Sequence, residues 1–410
     1  MRILDVTPRD TFPPRRGSDA RIHNLLLRLS RRHEIRQFSL RSSEKREVHA
    51  APSWREHRCS SVAAKLVSMA AERSWPRAAL LAGAALRLSR PALLREWIEW
   101  ADVIVVEFPW QFDYCRRLRP QGPLVLATHN IETVKFASWA HAQGLHKNDG
   151  RGWLRYIRRA EAAAVAHADL ILTVSSEDRL GFIRLFGADP DRVVEVPNGA
   201  DTTTYSPVDH ETRASMKRTL GLPAGPVVSF VGCSSPPNVT GFEWIRRVAA
   251  IAERFTFVVT GSLFPRAERL GNTIITGPVE EISPWLQAAD FSLCPIEHGG
   301  GTKIKLMEAL AAGLPVIAFE ESLHGTSLVP GRHVLLTPKN EDEIAFALHQ
   351  LADSPALAER LGSNGRDYIL QHHDWDRIAE KLEAALVQLV ESANPSSAAQ
   401  SSVHSSRSRG

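Results

Sequence analysis

Cysteine is scarce in this chain: Cys59, Cys115, Cys233 and Cys294 are the only four among 410 residues. None has the close paired spacing that holds zinc or frames a disulfide scaffold, so they read as reduced, buried thiols of a cytosolic protein. Long apolar runs are missing as well. Stretches such as Val103–Val106 and Leu314–Phe319 fall far below the ~20 residues that carry a helix across a bilayer. The opening Met1-Arg2-Ile3-Leu4-Asp5-Val6 has an acid inside its apolar run, which suits a strand and not a leader segment. No basic-aromatic module for RNA or DNA is recognisable, so nucleic acid is not expected as a partner.

What is present is the composition of a globular protein, 43% hydrophobic and 23% charged, and enough chain for two domains with separate cores. Strand-like apolar runs alternate with helical patterns throughout, which predicts an α/β fold with parallel sheets. The first half offers strands at Ile3–Val6, Glu34–Leu40, Val103–Val106, Leu124–Ala127, Leu170–Val174 and Val193–Val196. Helices are expected at Asp19–Arg31 and Trp153–His167. The second half restarts with strands at Val227–Val231, Phe257–Thr260, Thr273–Ile275, Phe291–Cys294, Val316–Phe319 and Val334–Leu336. Between the halves, Pro197-Asn198-Gly199-Ala200-Asp201 is rich in turn formers and marks the boundary. The expected division is 1–200, 201–373, a helix within 374–391, and a Ser/Ala/Arg-rich disordered tail from 392 to 410.

The most informative stretch runs from Pro295 to Phe319, PIEHGGGTKIKLMEALAAGLPVIAF. Gly299, Gly300 and Gly301 let backbone approach a ligand where any Cβ would intrude. Thr302 is placed to cap a short helix whose first N–H groups face that turn, a prepared site for an anion such as a diphosphate. Lys305 and Glu308 are three residues apart and share a face. Lys303 or Lys305 can neutralise phosphate, and the Glu308 carboxylate can accept two ribose hydroxyl hydrogen bonds. Gly313 ends the helix before a buried strand. Nucleotide-sugar binding is the resulting expectation.

This run resembles the signature of family-4 glycosyltransferases, in a GxGT-x-x-K-x-x-E variant. Glu308 falls on the family's second glutamate, which the resemblance implies holds the nucleotide ribose. The first glutamate belongs eight positions earlier, where this chain has Gly300. Other segments are similar too. Ile3-Leu4-Asp5-Val6 through Arg16 and Gly17 resembles the first strand and glycine loop of the family, with Arg16 in place of one of two usual glycines. Thr128-His129-Asn130-Ile131-Glu132 resembles the segment that carries a histidine at the end of a first-domain strand. Phe230 to Val239 resembles a Pro-Asn-rich form of the donor loop, and no basic residue occurs between Val227 and Trp244.

The resemblance implies a GT-B fold, two Rossmann-like doubly wound domains facing across a cleft, with donor on the second domain and acceptor on the first. The last helix is implied to cross back onto the first domain. His129 and Glu308 take the catalytic places. Gly299, Gly300, Gly301, Thr302, Lys303, Lys305, Glu308, Gly232 and Gly261 take the donor-binding ones, and Arg16, Gly17 and Asn130 line the acceptor side. The implied activity moves a sugar from a nucleotide-diphosphate sugar to a glycan, lipid-linked or polysaccharide-precursor acceptor, with retention of anomeric configuration. No cofactor and no metal are expected, on the grounds that no Asp-x-Asp dyad stands out as a metal site and that lysines can neutralise the leaving diphosphate. Two other readings stay open: a GT-B sugar-nucleotide epimerase, and a nucleotide-sugar-binding protein with impaired catalysis, which the missing glutamate, the single Gly17 and the loop near Cys233 without basic residues motivate.

Charge adds one expectation. Net charge is +4 with a pI of about 9.0, and the basic excess is concentrated early. Between Trp54 and Trp97, eight lysines and arginines face three glutamates, with tryptophan and leucine interleaved. A basic amphipathic segment of this kind can lie on an anionic membrane surface, giving a cytoplasmic protein peripheral at the inner face of the membrane. The same residues also suit a solvated helix pair covering a sheet.

Overall fold

The computed structural model describes residues 1–14, 16–40, 46–60, 82–142, 149–298 and 301–393. They form two compact units. One comprises Met1–Pro14, Ser18–Val196 and the chain from Ala379, and the other contains Pro197–Ile378.

The first unit is built on an eight-stranded sheet: β1 (Arg2–Thr7), β2 (Glu34–Ser39), β3 (Arg46–Ala51), β4 (Trp54–Arg58), β5 (Val103–Glu107), β6 (Leu124–Ala127), β7 (Leu170–Thr173) and β8 (Val193–Glu195). Their order is β3-β4-β2-β1-β5-β6-β7-β8, and only the β3–β4 pair is antiparallel. Every residue of β5, β6 and β7 is buried, because helices cover both faces of a parallel sheet. Leu4, Val6, Phe38, Ile104, Leu126 and Phe182 lie at the heart of its core. The helix Trp375–Ala393 joins this unit from Ala379, where Glu383 receives Arg32 at 3.0 Å and His33 at 2.9 Å.

The second unit holds β9 (Val227–Val231), β10 (Thr256–Thr260), β11 (Glu268–Leu270), β12 (Thr273–Gly277), β13 (Phe291–Cys294), β14 (Val316–Ala318) and β15 (Leu335–Leu336). Their order is β11-β12-β10-β9-β13-β14-β15, with β11 alone antiparallel. Phe230, Phe257, Leu293, Leu310 and Ile317 fill the core around it. Two of its described helices, His210–Thr219 and Glu341–Asp353, open on a side-chain cap. Asn340 accepts from the N–H groups of Asp342 and Glu343 to open Glu341–Asp353.

Three strands depart from the pattern expected of the sequence. β3 and β4 occupy a region that begins the basic segment. Here Trp54 and Glu56 are both fully buried, and Arg58 pairs with Glu56 at 2.9 Å. A buried, compensated carboxylate breaks the apolar alternation by which a strand is recognised. β11 is entirely exposed at a sheet edge and has no apolar signal to give. Burial also settles the described part of Trp54–Trp97. Trp54, Leu86, Leu94 and Trp97 point into the core, and Arg36 and Arg55 lie over the Trp97 ring. Lys65, Arg73 and Arg77 lie outside the described residues.

Candidate functional site

In the first sheet β2 and β5 flank β1, so the chain departs in opposite directions from the carboxyl ends of β1 and β5. Parallel sheets bind ligands beyond such a switch point. Glu107 closes β5, Phe108 follows it, and His129 stands just beyond the end of β6. Topology thus gathers three side chains that the sequence keeps apart. His129 Nε2 donates to Glu107 Oε2 at 2.7 Å, and both side chains are buried. The Phe108 ring stacks on the imidazole, with centroids 4.4 Å apart and planes 21° apart. Arg9, in the loop after β1, carries its guanidinium 5.7 Å from the Phe108 ring and is held by Asp19 at 2.9 Å and Ser18 at 2.6 Å.

Behind this group lies a buried polar layer. Burial and the nearby Glu107 charge push the Asp5 carboxyl well above the usual carboxylate range. Burial lowers Arg21 to about 10, an effect that Glu107 opposes. Asn130 reaches Glu132 at 3.5 Å, while Arg16 is exposed and Gly17 is the first residue of the helix Gly17–Leu29. Glu107 and Phe108 were not foreseen from the sequence. The visible signal was a lone carboxylate ending the apolar run Val103–Val106.

In the second sheet β10 and β13 flank β9, and the loops after β9 and β13 again mark the switch point. The loop after β13 leads into the helix Ile304–Ala311. Gly301 adopts φ 67°, a left-handed conformation that favours glycine. Thr302 does not cap the helix as its position suggested. Lys303 takes the N-cap place, without a side-chain cap, because the helix starts one residue later than a Thr302 cap needs. The Thr302 hydroxyl is buried and has no hydrogen-bond partner. It therefore remains available beside the unsatisfied N–H groups of a first helical turn. Gly299 and Gly300 lie outside the described residues.

The two lysines separate. Lys303 Nζ donates to the carbonyl of Gly301 at 2.7 Å. Lys305 Nζ donates to Asn238 Oδ1 and lies 4.6 Å from the Phe230 ring centroid. Burial lowers the Lys305 pKa, opposed by Cys294, Cys233 and Glu308. Burial also raises Glu308 to about 7, against the Tyr205 hydroxyl and the Lys305 charge, which both favour its ionised form.

The helix Pro236–Ile251 begins with two prolines, and the N–H groups of Asn238 and Val239 are taken by the Ser235 carbonyl. Its N-terminus has few donors left to offer. Gly232 and Gly261 cross closely: Gly261 has φ +112°, and a Cβ there would meet the Gly232 carbonyl oxygen at 2.5 Å. Glu297 is engaged by Trp244 Nε1 at 3.0 Å.

No cluster of three or more His, Cys, Asp or Glu suited to a metal ion occurs among the described residues. Two Asp-x-Asp pairs exist, and turns use them: Asp189 accepts from the Asp191 N–H, and Asp374 from the Asp376 N–H. No described helix is long and apolar enough to cross a membrane.

Comparison with known proteins agrees with this architecture. The family model described as Glycosyltransferase Family 4 matches residues 15–204, and that described as Glycosyl transferases group 1 matches residues 225–354. D-inositol 3-phosphate glycosyltransferase of Acidothermus cellulolyticus is 29% identical over 310 residues, which are 69% of this chain and 66% of that protein. The chain thus spans just under two thirds of that relative's length. Among solved structures, sucrose-phosphate synthase from Thermosynechococcus elongatus superimposes with a TM-score of 0.73 at 18% identity, over 96% of this chain and all of its own. HepE of Anabaena, solved with UDP-glucose, gives 0.68 at 16% identity, over 95% and 100%. These likenesses are of fold, the GT-B fold of two parallel-dominated α/β sheets. On both family models and both sheets, the chain belongs to the group 1, family 4 glycosyltransferases.

Proposed function

We propose that this protein transfers a sugar from a nucleotide-diphosphate sugar to a hydroxyl of a glycan, lipid-linked or polysaccharide-precursor acceptor, with retention of anomeric configuration. The observation that carries the proposal is the start of the helix Ile304–Ala311. A left-handed Gly301, an unpartnered Thr302 hydroxyl, the Lys305 ammonium and the Glu308 carboxylate occupy one short segment of chain. In this reading Thr302, the first helical N–H groups and Lys305 bind the diphosphate, and Glu308 receives the ribose hydroxyls. Negative charge grows on the diphosphate as the glycosidic bond breaks. Donors fixed in advance stabilise that charge more than the ground state, which is what accelerates the step. Lys305 supplies the positive charge, so the reading assigns no resident metal or cofactor. HepE, solved with UDP-glucose, supports a nucleotide-sugar donor.

Gly300 stands where the family has its first glutamate, and this favours one rival, a nucleotide-sugar binder without turnover. Incubation with nucleotide sugars and a hydroxyl acceptor, followed by NMR of the products, tests the proposal. A new glycoside with the donor's anomeric configuration is the expected product. An inverted glycoside would refute retention. An epimerised nucleotide sugar without acceptor, or binding without any product, would refute transfer. The reading also includes weak peripheral contact with anionic membranes through the basic first half. With Trp54 and Trp97 buried, charge alone supports that contact.

A further inference from the structure

Inside the second unit, two helices meet over one aromatic ring. Phe230, on β9, is buried, and the Lys305 ammonium lies 4.6 Å from its ring centroid. The helix Pro236–Ile251 comes close to the same ring at Gly241, where a Cβ would stand 3.1 Å from Phe230 Cζ. Asn238 lies three residues earlier on the same helix face, and it reaches Lys305. The Asn238 side chain is buried and its amide has a fixed sense. Nδ2 donates to the Cys233 carbonyl at 2.9 Å and lies 3.3 Å from Cys233 Sγ, so Oδ1 is the atom turned to the ammonium. Its backbone is held too, with the N–H on the Ser235 carbonyl at 2.9 Å and two prolines before it. Lys305 itself stays partly exposed, and among the described residues no carboxylate forms an ion pair with it.

We propose that Asn238 is a positioning residue, a neutral clamp that holds the Lys305 ammonium in place for a diphosphate while leaving its charge uncompensated. An ammonium has three donors, and one amide oxygen occupies one of them. A carboxylate at the same place would hold the lysine as firmly but cancel the charge that an anionic ligand needs. The Phe230 face attracts the cation without adding a negative charge. A lysine without a clamp has a flexible four-carbon stem, whose freedom is lost only when the ligand binds. With Asn238 in place, that ordering is already complete in the ligand-free protein. The ligand in this proposal rests on the nucleotide-sugar reading, whereas the clamp belongs to the protein alone.

The test uses the full chain without and with ligand. In the ligand-free protein, NMR of 13Cε-labelled lysine follows the Lys305 signal through a pH titration, the signal being assigned by its loss in Lys305→Met. Asn238→Asp should move its midpoint to higher pH, because a carboxylate favours the ammonium. With ligand, titrations compare UDP, GDP and ADP with their nucleosides. Asn238→Ala should weaken the diphosphate that binds by about three- to tenfold, the cost of ordering one long side chain on binding, and leave its nucleoside nearly unchanged. Asn238→Asp, although almost the same shape, should weaken that diphosphate more than Asn238→Ala does. In a protein already carrying Lys305→Met, Asn238→Ala should bring no further loss, since the clamp acts only through the lysine. Equal losses for diphosphate and nucleoside would overturn the proposal. So would additive losses in the double variant, or a loss in Asn238→Asp no larger than in Asn238→Ala. If Asn238→Ala fails to fold, the Asn238→Asp titration and its selectivity for the diphosphate decide. Should the unaltered protein bind none of the three diphosphates, the diphosphate reading is refuted. The Lys305 midpoint then judges the clamp by itself: a rise in Asn238→Asp supports it, and no change overturns it.

Discussion

Raising the pH from 6 to 8 should tighten binding of a nucleotide-diphosphate sugar by about tenfold, and Glu308→Gln should abolish that dependence. Burial raises the Glu308 carboxyl to about 7 in the folded protein. At pH 6 roughly a tenth of the population then carries the carboxylate, and at pH 8 roughly nine tenths. If only the carboxylate accepts the ribose hydroxyls, apparent affinity scales with that fraction. The ligand contributes no titration of its own here, because a doubly esterified diphosphate stays fully ionised across this range. Folding responds in the opposite sense. The folded protein holds this proton more tightly than the unfolded chain, so the stability it contributes is present below the ordinary carboxylate pKa and lost as pH rises through about 7. Titration calorimetry at several pH values, beside urea unfolding of the ligand-free protein, reads both effects. At pH 8, Glu308→Gln should weaken binding by roughly 1.5–3 kcal/mol, the worth of a hydrogen bond to a charged group. An affinity flat with pH in the unaltered protein, or an unchanged slope in Glu308→Gln, would refute the assignment of Glu308 to the ribose.

Lys305→Met should weaken binding of a nucleoside diphosphate far more than of the nucleoside, whereas Lys303→Met, whose ammonium already serves the Gly301 carbonyl, should change both little; competition titrations with the two ligands separate these outcomes. Lys217→Met should cost about 3–5 kcal/mol in urea unfolding, because it strands Asp290, which now takes Lys217 Nζ at 2.6 Å and the Val227 N–H at 2.8 Å. Co-sedimentation with anionic vesicles should be weak, lost at high salt, and reduced when Arg73, Arg77 and Arg87 become glutamate; binding that survives high salt would contradict a purely charge-based contact.

Much of the fold was legible because parallel strands covered on both faces are short apolar runs. Val227–Val231, Leu124–Ala127 and Phe291–Cys294 appear in the structure with the bounds the sequence suggests. β4 was not legible, since Glu56 is buried there against Arg58 and no window of sequence shows that pairing. The helix Ile304–Ala311 could be read directly, being contiguous. Its cap could not: whether Thr302 or Lys303 opens the helix depends on backbone angles that composition leaves open. The partners of the site residues were hidden for another reason. Glu107 and His129 meet because β5 and β6 are neighbours in the sheet, and Lys305 reaches Asn238 across 67 residues of chain. Sequence proximity carries motifs, whereas sheet order carries the contacts that orient them.

The central claim is that the segment from Gly301 to Glu308 receives a nucleotide-diphosphate sugar. Thermal unfolding of the unaltered protein against a panel of such sugars, repeated with Glu308→Ala and Lys305→Ala, tests it most directly. A bound ligand at a hundredfold excess over its Kd stabilises by about 2.7 kcal/mol, enough to raise the melting temperature by several degrees. The account predicts such a rise for at least one member of the panel in the unaltered protein and its loss in both variants. No rise with any nucleotide sugar, or an equal rise in all three proteins, would contradict it.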